Sequence, residues 1–167
     1  MSTSILIVPG IGSSGPEHWQ SRWEAADPRM RRVEQADWDH PDRRVWQVQL
    51  ARAVDEAGPD VLLVAHSLGC LLVAHWAAET RLPVRGALLV AVPDPEGPAF
   101  PPEATGFAPV PRQPLGFASL VVASEDDPYG SPAHAEGCAA AWGSRLLSIG
   151  AAGHINAASG LGDWPQG

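Results

Sequence analysis

Val61-Leu62-Leu63-Val64-Ala65-His66-Ser67-Leu68-Gly69-Cys70 runs from an aliphatic segment into a helical pattern, with a serine at the junction. Ala65-x-Ser67-x-Gly69 has the spacing of a nucleophile elbow, with alanine in place of the first glycine. A serine used as a nucleophile must stand on a tight strand-to-helix turn, and small neighbours let strand and helix approach closely. The amide of Leu68 would then open the helix and point at an oxyanion on an acyl carbon. The bland alternative is a serine that only caps the helix.

Chain order separates the two. Such a nucleophile needs an acid after a late strand and a histidine after the last one. Leu120-Val121-Val122-Ala123 is followed by Ser124-Glu125-Asp126-Asp127-Pro128, and Leu146-Leu147-Ser148-Ile149 by Gly150-Ala151-Ala152-Gly153-His154. Both places are filled, at strand ends where α/β sheets put their sites. Asp127 is the acid of choice, because Pro128 biases it to an extended backbone that aims the carboxylate over the sheet. Asp126 and Glu125 remain alternatives, and Asp94 is a further candidate after the preceding strand. His154 is the base. Of the other histidines, His66 occupies the variable position of the elbow, His75 lies within a helix, and His40 and His134 lie at turns or helix starts. None has zinc spacing with a third ligand, so no metal and no cofactor is expected.

The segment Val8-Pro9-Gly10-Ile11-Gly12-Ser13-Ser14-Gly15-Pro16-Glu17-His18-Trp19 offers a glycine-rich loop after the first strand. In bare letters it fits G-x-G-x-x-G, yet no acidic residue ends a clear second strand about 20 residues on, as dinucleotide binding requires. Beside an elbow serine, the loop is better used as the second oxyanion donor, from Ile11 or Gly12. His18 and Trp19 are candidates for the site mouth, and Trp19 is equally a core residue.

Elements that position these groups follow from the apolar pattern. Ile5 to Val8, Val61 to Ala65, Ala87 to Val92, Leu120 to Ala123 and Leu146 to Ile149 read as strands covered on both faces, and Arg31 to Gln35 as a more polar edge strand. Helices are expected from Pro16 through Trp19 and Trp23, after an Asp42 cap through Ala57, over Leu68 to Thr80, and from Ser131-Pro132 to Trp142. This alternation predicts an α/β fold: a three-layer, mostly parallel, doubly wound sheet of about six strands, residues 1–167 forming one domain. Pro93 to Pro114 holds eight prolines in 22 residues. It follows the strand ending at Val92 and is too short to fold as a domain of its own, so no cap domain is expected. An open site results, with Phe100 and Phe107 shaping one wall.

Composition narrows the partners. Arginine supplies all 11 cations against 19 acids, for a net charge of −8. An acidic chain without a basic run argues against nucleic acid and anionic membranes. Cys70 and Cys138 make neither a disulfide framework nor a zinc site, and Cys70 reads as a small buried hydrophobe. No apolar stretch approaches a membrane span and no leader pattern precedes Ser4, so a cytoplasmic location is expected. Oligomeric state is not legible.

Taken together, Val8 to Gln20, Val33-Glu34-Gln35-Ala36-Asp37-Trp38, Ala65-His66-Ser67-Leu68-Gly69-Cys70, Asp126-Asp127-Pro128 and Gly153-His154-Ile155-Asn156 resemble the YdeN / retinoblastoma-binding protein 9 family of small serine hydrolases. The resemblance covers essentially the whole chain. It implies an α/β-hydrolase fold and a triad of Ser67, Asp127 and His154, with esterase-type activity on small acyl substrates. The retinoblastoma-binding Leu-x-Cys-x-Glu motif has no counterpart here, so that partner does not carry over. Family members continue into a C-terminal helix after the histidine loop, where this sequence has Trp164-Pro165-Gln166-Gly167. Packing behind His154 is therefore expected to differ. Two rivals stand beside the esterase: a binding module that keeps the fold without turnover, and a peptidase or thioesterase built on the same triad.

Overall fold

The aliphatic runs become six strands. The computed structural model describes residues 2–167. In chain order they form β1 (Ser4–Val8), α1 (Trp19–Ala26), β2 (Met30–Arg32), α2 (Arg43–Ala57), β3 (Val61–His66), α3 (Leu68–Glu79), β4 (Gly86–Val90), β5 (Ala118–Ala123), α4 (Pro132–Trp142) and β6 (Arg145–Ser148). The strands lie in the order β2-β1-β3-β4-β5-β6, all parallel. This is the α/β-hydrolase architecture without a cap domain. Among the described residues, no helix is long and apolar enough to cross a membrane.

Strand alternation sorts the apolar side chains onto two faces. Leu6, Leu63, Ala65, Leu89 and Val121 point to one face and pack against α2, α3 and α4 in the larger core. Ile7, Val64, Val90 and Val122 point to the other, where Trp19 of α1 meets Ile155 and Trp164 from the C-terminal segment. The order reverses between β1 and β3, with Val8 opposite Ala65. The loops that leave these two strands therefore emerge side by side, at the kind of switch point where α/β sheets bind ligands.

Several elements depart from expectation. Helix α1 starts at Trp19 and not at Pro16, because the His18 imidazole acts as its N-cap and accepts the Gln20 amide proton at 3.1 Å. Strand β2 stops at Arg32, although the Val33 amide still donates to the Ile7 carbonyl. Strand β6 is exposed along its whole length instead of covered on both faces. It is the sheet's edge, paired only with β5, and Leu146 and Leu147 face solvent. The proline-rich stretch forms no helix or strand, yet Phe107 and Val110 anchor it in the larger core.

Candidate active site

Ser67 occupies the turn between β3 and α3 with φ 54° and ψ −124°. A non-glycine residue held there is strained, as an elbow requires. Its side chain makes no hydrogen bond to the helix, so Ser67 does not act as a side-chain cap. Two glycines make the turn possible. A Cβ on Gly69 would overlap the Val8 carbonyl, and one on Gly10 would stand 3.2 Å from the Leu68 nitrogen. Ala65 is fully buried and fits where a glycine is more usual.

The Ser67 hydroxyl lies 2.7 Å from His154 Nε2, and His154 Nδ1 lies 2.9 and 3.1 Å from the two carboxylate oxygens of Asp127. A carboxylate only accepts, so Nδ1 carries the ring proton and Nε2 is left to accept from the hydroxyl. The Asp127 side chain is 2 % exposed and that of His154 11 %. Asp127 also accepts the Tyr129 amide proton at 2.9 Å. The neighbouring acid is turned to another use: Asp126 Oδ1 accepts from Ser124 Oγ at 2.9 Å and from the Gly153 amide at 2.8 Å. That amide first, and then Ser124, hold the Asp126 carboxyl below the usual carboxylate range. Glu125 is exposed, and Asp94 caps its own turn by accepting the Glu96 amide proton.

A cavity of about 500 Å³ opens over Ser67. Leu68, Ile11, Gly12, His18, Phe100, Tyr129 and His154 line it, and no arginine, aspartate or glutamate does so. The Leu68 amide begins α3 beside Ser67. Of the two loop donors expected, Gly12 gives its amide proton to the Trp38 carbonyl at 3.0 Å, which leaves Ile11. Two further expectations are corrected. Trp19 is 1 % exposed, because its indole turns toward the sheet between Trp23 and Trp164 and donates to the Ile155 carbonyl at 2.8 Å. Phe107 is buried against Trp46 and His75 in the larger core, leaving the wall to Phe100.

With this geometry, residues 5–167 match the family of serine hydrolases. The chain belongs to that family. Among solved structures, this serine hydrolase is similar to a YdeN-like hydrolase from Pectobacterium atrosepticum, at 33 % identity and TM-score 0.86 over 99 % of this chain and 86 % of the other. The ydeN gene product of Bacillus subtilis is similar at 20 % identity and TM-score 0.76, over 95 % and 91 % of the two chains. BpoC of Mycobacterium tuberculosis shares the fold at 14 % identity and TM-score 0.71, over 93 % and 86 %. No curated protein matches the chain.

Sequence reasoning missed three residues of this serine hydrolase's site. The Tyr129 ring lies 4.5 Å from the His154 ring, centroid to centroid; its only signal was adjacency to Asp127-Pro128. Arg32 holds the glycine-rich loop. Its guanidinium donates to the Ser13 carbonyl, to Ser13 Oγ at 3.0 Å and to Ser21 Oγ at 2.7 Å, and pairs with Glu24. Ser13 and Ser14 have φ of 69° and 51°, an unfavourable region for serine that these contacts offset. The third is His66, whose ring is buried 4.5 Å from that of His18 and 4.9 Å from that of His154. Burial first, then these two neighbours, hold His66 well below the usual histidine range. Burial, Arg32 and His154 likewise lower His18 to about 4.

Proposed function

We propose that the protein hydrolyses esters of small, neutral acyl groups through an acyl-enzyme on Ser67. His154 Nε2 takes the hydroxyl proton as Ser67 Oγ bonds to the ester carbon. The amides of Leu68 and Ile11 hold the resulting oxyanion. Collapse breaks the bond to the alcohol oxygen, which leaves with the proton from His154. Water then attacks the acyl-serine, giving its proton to His154, and the serine oxygen departs to regain it. Asp127 keeps the imidazole in the required tautomer and stabilises its charged form.

The observation that carries this reading is the unbroken contact from Asp127 through His154 to the Ser67 hydroxyl, with both ring nitrogens in the roles the chemistry needs. Cavity size and the absence of charged Arg, Asp or Glu side chains in its lining support small neutral substrates. The test is a fluorophosphonate probe together with p-nitrophenyl acetate. Wild type should label and turn over, while Ser67→Ala should not label and should lose about 10⁴-fold or more in kcat. Full activity of Ser67→Ala would overturn the mechanism.

A further inference from the structure

His66 follows Val64 in the strand alternation, so its ring lies on the α1 face while Ser67 rises above the sheet end. There His66 Nε2 sits 2.9 Å from the main-chain carbonyl of His154. A carbonyl oxygen only accepts, so the single proton of the neutral His66 ring is on Nε2 and is donated to that carbonyl. Two consecutive residues thus grip two ends of one histidine. Ser67 faces its ring, and His66 holds its backbone.

The grip matters because His154 has no regular structure to hold it. Gly153 has φ 58° and Ile155 φ 49°, so the residues on both sides are left-handed. For a β-branched side chain this conformation is unfavourable and persists only where the surroundings enforce it. The enforcing contacts fall on three successive residues. Asp126 accepts from the Gly153 amide, His66 donates to the His154 carbonyl, and the Trp19 indole donates to the Ile155 carbonyl. Only the His66 contact comes from the elbow itself, and it ties the position of the histidine loop directly to that of Ser67. His66 is 5 % exposed, where an apolar side chain would pack without the desolvation cost of an imidazole.

We propose that His66 is a positioning residue for the hydrolysis inferred above: its Nε2–H fixes the His154 backbone so that the ring meets Ser67 and Asp127 together. This rests on the triad reading, and the experiment separates the two. His66→Leu removes the donor and keeps bulk; His66→Gln places an amide N–H near the Nε2 position; His66→Asn carries the same group one methylene short. With p-nitrophenyl acetate, His66→Leu should lose about 10²-fold in kcat with little change in KM, since a displaced base affects the transition state more than binding. His66→Gln should recover most of that loss, and His66→Asn should not.

The second readout is the low-field proton resonance of His154 Nδ1–H against Asp127, identified by its absence in His154→Ala. It should weaken or vanish in His66→Leu and return in His66→Gln. A folded His66→Leu with wild-type kcat and an unchanged resonance overturns the proposal, as does a His66→Gln no better than His66→Leu. If His66→Leu does not fold, equal activity and equal resonance in His66→Gln and His66→Asn overturn it. If wild type neither turns over nor labels, the functional reading fails, and the resonance alone decides whether His66 holds His154.

Discussion

The two faces of the sheet are built to different standards. One carries three helices and nearly all the fully buried leucines, including Leu50, Leu63, Leu71, Leu72 and Leu89. The other carries α1 and an irregular C-terminal segment around Ile155 and Trp164. There Leu88, Leu120, Leu147 and Ile149 line a groove of about 420 Å³ instead of lying under a helix. The proposed site straddles this division. Ser67 starts a helix of the thick face, where close packing leaves no alternative arrangement. His154 rides on the thin face, in a loop located by single hydrogen bonds from Gly153 to Asp126, from His66 to the His154 carbonyl and from Trp19 to the Ile155 carbonyl. Where packing is dense, backbone geometry fixes a side chain; where it is sparse, polar contacts have to do so one by one.

The sharpest way to break this contrast uses the two adjacent acids. Asp127→Asn should lower kcat by about 10⁴-fold, because the amide favours the wrong imidazole tautomer. Asp126→Asn should cost only about 10-fold, through looser placement of Gly153. Steady-state kinetics of both variants check this, and an equal loss would erase the distinction between orienting the ring and propping its loop. Next in size is packing. Leu72→Ala should destabilise by about 3 kcal/mol or more, whereas Leu120→Ala on the half-covered face should cost no more than about 1 kcal/mol. Urea unfolding measures both, and comparable losses would show that the thin face is as tightly integrated as the thick one.

The smallest effect is one of pH. His18 on the thin face has its pKa lowered from 6.5 to about 4, so the fold favours its neutral form. Below pH 6.5 the unfolded chain binds this proton more readily than the folded one, and stability falls as pH drops toward 4. His18→Asn keeps a side-chain acceptor for the Gln20 amide and removes the titration. The variant should lose about 2–3 kcal/mol less stability than wild type between pH 7 and pH 4. Parallel Tm curves over that range would refute the assignment.

Strand positions, the elbow, and the chain order of serine, acid and histidine were legible because each depends on local pattern: aliphatic runs, small residues at a tight turn, groups placed just after strands. Side-chain direction was not. Trp19 and Phe107 each sit beside a site segment, and only packing turns one under the sheet end and the other into the α2–α3 core. The exposure of β6 was hidden because an aliphatic run reads the same with or without a helix above it. His66 was passed over as the elbow's free position, although strand alternation already placed it beside Val64 on the α1 side. Arg32 looked like ordinary edge-strand polarity, and its work on Ser13 and Ser21 is visible only in three dimensions.

The glycines at 10 and 69 also bear on how this cavity could be redesigned. With β1 and α3 in near backbone contact, the wall made by Ile11, Gly12 and Leu68 cannot be widened or recessed without parting strand from helix. Ala99, Phe100, Ala157 and Ala158 line the same cavity from segments outside the sheet and its main helices. For the proposed ester hydrolysis, a library meant to change acyl-chain preference belongs at those four positions, where side chains can grow or shrink while the wall of Ile11, Gly12 and Leu68 keeps its shape.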